Sequence, residues 1–269
     1  MVDEEGVGES GRSIRLTHGA RAPKVFVLLH GLTSSPPQFA ELGRLLHERG
    51  ANVLIPRLPR HGQQDRLSNI LEGLTKEELT GFATQTLVDA RQWGDRVIVV
   101  GFSLGGLIAL WMAQHEMVER VIAIAPFLGV VWLPQRWSSF AAALTLRLPN
   151  RFLWWNPVLR ERQMPAHGYP RYSTHSVAQM YVMASELFAD AMKSAPATRD
   201  ILLVVNDREM AVNNHSAARL ARLWQQRSGT RVVTHRLHGL PLSHDIIEPL
   251  RSPEIVRRIY PTLVELADS

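Results

Sequence analysis

The strongest chemical signal in the chain is a serine between glycines, Gly101-Phe102-Ser103-Leu104-Gly105. Four β-branched apolar residues, Val97 to Val100, lead into it, and Leu107-Ile108-Ala109-Leu110-Trp111-Met112-Ala113 follows. The first run has the pattern of a strand buried on both faces, and the second suits a helix. A hydroxyl on a sharp turn between the two stands exposed at the C-terminal edge of a sheet, beside the free amides of a helix start. The glycines remove the Cβ atoms that would clash as the helix folds back over the strand. Ser103 is therefore a candidate nucleophile. A nucleophilic serine needs a base, an acid to orient that base, and donors for an oxyanion.

His244, in Leu242-Ser243-His244-Asp245, is the candidate base, because the Gly239-Leu240-Pro241 loop before it lets the imidazole reach back across the sheet edge. His238 is nearer the strand end and reads as a loop-packing residue. The acid has to follow a late strand. Ile201 to Val205 is that strand, and Asp207 and Glu209 both lie just beyond it. His30-Gly31-Leu32 follows the first clear strand, so the Leu32 amide can pair with that of Leu104 as an oxyanion hole, with His30 in a structural role. Phe102, Trp132, Trp137 and Trp154 are candidate substrate-lining residues. The remaining histidines have no partner pattern and no His-Glu-x-x-His run exists, so neither a metal nor a cofactor is expected.

The elements that must position these groups alternate. Lys24 to His30, Asn52 to Ile55, the Val97 run and Arg120 to Ala125 read as strands. Between them lie helical patterns that begin at Ser35-Pro36-Pro37, at Thr75 and after Ser103. Asp200 to Val205 and Arg231 to Leu237 resume the strands, with helices over 211–226 and 253–266. This rhythm predicts a mostly parallel sheet with helices on both faces. Residues 126–195 break it with prolines, tryptophans and helix-like runs near 140–148 and 177–192, and no clean strand. The stretch is too long for a connecting loop and too apolar for disorder. It reads as a largely helical cap inserted into a core of 21–125 and 196–269. Residues 1–20, acidic and Gly-rich at their start, read as a flexible tail rather than a signal peptide.

The chain has 269 residues, a hydrophobic fraction of 45%, a charged fraction of 20% and a net charge of +5. Its arginines are scattered, with no basic helix or aromatic-basic repeat, so no nucleic acid is expected. No cysteine occurs, which excludes a disulfide framework, thiolate ligands and a cysteine nucleophile. The longest apolar run, 121–134, is too short to span a bilayer, so no stable membrane insertion and a cytoplasmic location are expected, with oligomeric state open.

The order serine, acid, histidine is that of the α/β-hydrolases. The chain resembles that superfamily, most closely its small bacterial carboxylesterase and monoacylglycerol-lipase branch. The pieces that carry the likeness are His30-Gly31-Leu32-Thr33-Ser34-Ser35-Pro36, Leu58-Pro59-Arg60-His61-Gly62, Gly101-Phe102-Ser103-Leu104-Gly105-Gly106 and Leu242-Ser243-His244-Asp245. The resemblance implies the α/β-hydrolase fold and a serine esterase acting on a small-molecule ester through an acyl-enzyme, and the Trp-rich cap with Phe102 and Leu104 beside the serine motivates a moderately apolar acyl group. Many such enzymes carry a Gly-x-x-Asp-x-x-Val turn. Setting Asn206 at its glycine and Val212 at its valine favours Glu209 as the acid, with Asp207 the alternative. The same triad also serves acyl transfer, perhydrolysis and the cleavage of lactones, amides or carbon–carbon bonds. A ligand-binding module that has lost catalysis is the reading from another class.

Overall fold

The computed structural model of the chain describes residues 6–131, 135–227 and 229–268. In chain order its strands are β1 (Ile14–Leu16), β2 (Ala22–Leu29), β3 (Asn52–Ile55), β4 (Gly94–Phe102), β5 (Arg120–Ile124), β6 (Phe152–Trp154), β7 (Arg171–Ser173), β8 (Asp200–Asn206) and β9 (Arg231–Leu237). Seven of them form one sheet in the order β1-β3-β2-β4-β5-β8-β9, parallel throughout except where β1 meets β3. The central strands are buried along nearly their whole length. This explains why they read as continuous Val/Ile/Leu runs rather than as alternating ones.

The helices are α1 (Ala40–Glu48), α2 (Lys76–Ala90), α3 (Leu104–His115), α4 (Gln135–Arg147), α5 (Thr174–Lys193), α6 (Asn214–Gln225) and α7 (Pro253–Asp268). Helix α2 starts at a capping box, in which Thr75 accepts from the Glu78 amide and Glu78 reaches back to the Thr75 amide. Helix α1 packs on α7, whereas α2, α3, α5 and α6 pack against one another. Among the described residues no helix is long and apolar enough to cross a membrane.

Three segments depart from the sequence reading. Residues 14–16, expected within a tail, form the edge strand β1, and Val7 bridges to Gln63. The cap contains a short antiparallel hairpin, β6 with β7, where no strand was expected. Helix α5, assigned to the cap, packs against α4 and also along α2, α3 and α6. It is a shared wall of cap and core.

Candidate active site

Ser103 stands at the turn from β4 into α3 with φ 53° and ψ −110°, a backbone conformation costing an L-residue about 1–3 kcal/mol. The flanking glycines allow that turn. A Cβ on Gly105 would lie 1.9 Å from the Leu29 carbonyl oxygen, and one on Gly101 would lie 2.0 Å from that of Gly105. The Ser103 amide donates to the Ile124 carbonyl at 3.0 Å, and the Phe127 amide donates to the Ser103 carbonyl at 3.0 Å. Neighbouring strand and loop thus hold the strained residue.

His244 Nε2 lies 2.8 Å from Ser103 Oγ, and its Nδ1 lies 3.0 Å from Glu209 Oε2. A carboxylate only accepts, so Nδ1 carries the proton and Nε2 accepts from the serine hydroxyl. The Phe102 ring sits 5.0 Å from the imidazole. The Glu209 side chain is 1% exposed. Its Oε1 accepts from the amides of Met210 at 2.9 Å, Ala211 at 2.8 Å and Val212 at 3.4 Å. Burial by itself pushes this carboxyl up, but the His244 hydrogen bond and charge and the Ala211 and Val212 amides outweigh it and hold it below the usual range. Asp207 is engaged elsewhere, 2.9 Å from Arg236 and 2.5 Å from His238.

The two loops that bring acid and base together share one buried side chain. Asn206 Nδ2 donates to the carbonyls of Pro241 at 3.2 Å and Ser243 at 3.0 Å, while its Oδ1 accepts from the Arg208 amide at 3.0 Å. A glycine here would leave the His244 loop without that tie. Asn206→Ala is expected to lower kcat by about 10²-fold, the usual scale for small misplacement of a reacting group, with KM little changed. Steady-state kinetics check this; an unchanged kcat would remove the role.

Leu32 lines the cavity onto which Ser103 opens and Leu104 directly follows Ser103, and among the described residues neither amide meets a protein acceptor. Leu104 opens α3, so its amide also carries the positive end of the helix dipole. The loop bearing Leu32 is held firmly. Gln38 Oε1 accepts from the Gly31 amide at 2.9 Å, and its Nε2 lies 3.4 Å from Asp245 Oδ1. Thr33, at φ 65°, donates its amide to His61 Nε2 at 3.3 Å. Its carbonyl accepts from the Tyr169 amide at 2.7 Å, and its Oγ1 accepts from the Trp155 indole at 2.9 Å.

His30 fills a structural role in the same loop. Its Nδ1 donates to the Gly31 carbonyl at 3.0 Å, and its Nε2 accepts from the Leu58 amide at 3.1 Å. Burial and the nearby His61 hold it well below the usual imidazole range. Burial chiefly, with Arg57 adding to it, brings His61 down to about 4. The unfolded chain takes up that proton below about 6.5, the folded chain only below about 4. Unfolding is therefore favoured as pH falls through this window, at a cost to stability of up to about 3 kcal/mol. Urea unfolding at pH 7 and near the bottom of the window should show it, and His61→Gln should flatten the dependence; an undiminished slope in the variant would refute the assignment.

Ser103 and His244 open onto a cavity of about 660 Å³ between sheet edge and cap. Phe127, Val130, Ala142, Val177 and Met180 form its apolar side, and Gln38, Asp245 and Arg251 stand near His244. Phe102 lines it as expected, but the cap tryptophans differ. Trp137 is 53% exposed on the outside of α4, and Trp154 is absent from the lining. Trp132 lies outside the described residues. Instead Trp155, its ring tilted 39° against that of Tyr172 with centroids 4.3 Å apart, lines the cavity. Leu153 and Trp155 share one face of the β6 ribbon and Phe152 and Trp154 the other. The Trp154-Trp155 pair signals an aromatic wall but not which phase turns inward. Among the described residues no group of His, Asp and Glu side chains is arranged to hold a metal ion.

A family model described as "Alpha/beta hydrolase family" matches residues 26–254. A thermostable monoacylglycerol lipase from Bacillus sp. (strain H-257) is 25% identical over 128 residues, 48% of this chain and 48% of that protein. The match thus spans about half of the curated relative. Among solved structures, one from work on the metagenome-derived lipolytic enzymes LipS and LipT superposes with a TM-score of 0.73 at 15% identity, covering 97% of this chain and 99% of that one. The monoacylglycerol lipase of Paleococcus ferrophilus gives 0.71 at 18% identity, covering 95% and 98%. The enol-lactonase of Burkholderia xenovorans LB400 gives 0.58 at 20% identity, covering 96% of each. At these identities the structural likeness is one of fold.

Proposed function

The chain belongs to the alpha/beta hydrolase family, and we propose that within it the protein is a serine esterase cleaving carboxylic esters with a moderately apolar acyl group. The observation that carries this reading is the continuous hydrogen-bond chain from Ser103 Oγ through both nitrogens of His244 to Glu209. Ser103 attacks the ester carbonyl as His244 Nε2 takes its proton. Glu209 holds the tautomer and stabilises the imidazolium, and the Leu32 and Leu104 amides receive the oxyanion. The tetrahedral adduct collapses as His244 returns the proton to the leaving alcohol. Water, deprotonated by the same imidazole, then releases the acid.

The apolar side of the cavity suits the acyl chain. Gln38, Asp245 and Arg251 flank the side where His244 would protonate the alcohol, which favours a polar alcohol there. The curated relative carries the name monoacylglycerol lipase, so a monoacylglycerol is the first natural-type ester to test. The experiment is a panel of p-nitrophenyl esters and monoacylglycerols of rising chain length, with product analysis in the presence of a competing alcohol. Turnover with release of free acid supports the hydrolase. Product appearing mainly as a new ester would make the protein an acyltransferase, and no turnover of any ester would refute the reading.

A further inference from the structure

Residues 6–13, expected as part of a tail from the sequence, are built into the supports of the proposed oxyanion loop. The Gly8 amide donates to the Gly62 carbonyl at 3.0 Å, and the Gln64 amide donates to the Gly6 carbonyl at 2.9 Å. Val7 and Gln63 form the antiparallel bridge at these two bonds. The Arg57 amide donates to Ser13 Oγ at 2.9 Å, so the segment grips the loop 57–64 at both of its ends. Between these ties the two backbones touch. A Cβ on Gly11 would lie 1.9 Å from the Gly62 carbonyl oxygen, and one on Gly62 would lie 2.6 Å from that of Gly11. A side chain at either position would part the two backbones.

The gripped elements fix the residues on either side of Leu32. Thr33, after it, donates its amide to His61 Nε2 at 3.3 Å. His61 belongs to the gripped loop, where its Nδ1 donates to the Pro59 carbonyl at 2.8 Å and its carbonyl accepts from the Arg57 guanidinium at 3.3 Å. Gly31, before it, donates its amide to Gln38 Oε1 at 2.9 Å. Gln38 belongs to the turn Pro36–Phe39, against which the turn Glu9–Gly11 packs. Leu32 therefore has one neighbour held through His61 and the other through Gln38, and the segment 6–13 contacts the element that carries each. An oxyanion donor works only when aimed at the point where charge develops. A displacement of about 1 Å costs about 10²-fold in rate.

We propose that residues 6–13 are a positioning segment of the active site, in which Gly11 and Ser13 set the aim of the Leu32 amide through His61 and Gln38. Among the described residues that line the cavity none belongs to this segment. Its effect therefore falls on the transition state rather than on substrate binding. The kinetic part of the inference rests on the serine-esterase reading.

The test uses point variants of the full chain. Gly11→Ala is expected to lower kcat on the best ester by about 10²-fold with KM little changed. Affinity for a trifluoromethyl ketone with the same acyl chain should fall by a similar factor. Ser103 adds to that carbonyl as His244 takes the hydroxyl proton, and the carbonyl electron pair passes to the oxygen that the Leu32 amide receives. Ser13→Ala should show a smaller loss in the same direction, and Ser13→Thr, which keeps the hydroxyl, should behave as wild type. Hydrogen exchange at the Thr33 amide, followed by NMR, should quicken about fivefold or more in Gly11→Ala, the scale of one lost hydrogen bond. Exchange needs no turnover, so two failures are told apart. A wild-type protein that turns over no ester refutes the esterase reading alone, whereas wild-type exchange at Thr33 in Gly11→Ala refutes the positioning role. A lowered thermal midpoint with unchanged kcat would also overturn it, since the segment would then serve stability only. Where Gly11→Ala does not fold, Ser13→Ala against Ser13→Thr decides by the same readings.

Discussion

Ser103→Ala is expected to abolish labelling by a fluorophosphonate and to lower kcat on the best ester by about 10⁶-fold, the scale seen when the nucleophile of a serine triad is removed. The residue left behind can neither attack nor donate a hydrogen bond to His244 Nε2. Only binding and the Leu32 and Leu104 amides would remain, and these alone give a weak acceleration over water. The fold should survive, because Ser103 Oγ contributes little to the core. The backbone at this position makes a further contrast possible. With φ at 53°, alanine keeps the steric penalty of an L-residue whereas glycine is free of it. Ser103→Gly should therefore be as inactive as the alanine variant yet more stable by about 1 kcal/mol, read as a higher thermal midpoint. Residual turnover within tenfold of wild type in either variant would mean that Ser103 is not the nucleophile.

Glu209→Gln is expected to cost about 10⁴-fold in kcat, the penalty found when the acid of such a triad is replaced by its amide. Asp207→Asn should leave kcat nearly unchanged. Glutamine at 209 can no longer compensate a positive imidazole, and its amide hydrogens conflict with the Nδ1–H that faces it. Asp207 instead lies on the far side of the turn with Arg236 and His238, so its loss touches surface ion pairs only. The two carboxylates stand two positions apart in sequence, yet their surroundings differ sharply. One side chain is enclosed and takes three backbone amides. The other is bonded by an exposed guanidinium. If the kinetic ranking came out the other way round, the acid would have to be reassigned to Asp207, and the geometry around His244 with it.

Much of this arrangement was legible in the residues, for local reasons. Strands buried on both faces must be apolar along their length, so β2, β4, β5 and β8 announced themselves. The elbow at Ser103 was readable because its turn admits only glycine at 101 and 105. The late histidine and an acid after a late strand could be placed from the loops that follow β9 and β8, and the Asn206 to Val212 register favoured Glu209 while leaving Asp207 as the alternative. What escaped depends on pairing between distant segments. Residues 14–16 become a strand only because β3 offers a free edge. The cap hairpin rests on partners nearly twenty positions apart. Trp155 differs from Trp154 by the phase of a short strand, and Trp137 by the rotation of α4. Asn206 looked like a missing glycine in the acid turn; its second role depends on the loop 35 positions later.

The cap is stitched to the core at both loops that would perform chemistry. Tyr181 of α5 accepts from the Val130 amide, and Val130 bridges to Val212 at the end of the Glu209 turn. The Trp155 indole and the Tyr169 amide both hold Thr33, next to the Leu32 amide. The lid is therefore not an interchangeable part. A cap transplanted from a relative to change substrate range would strip the supports from acid and oxyanion loop together. Point changes on the cavity wall, at positions such as Ala142, Val177 and Met180, would reshape the cavity without touching those stitches.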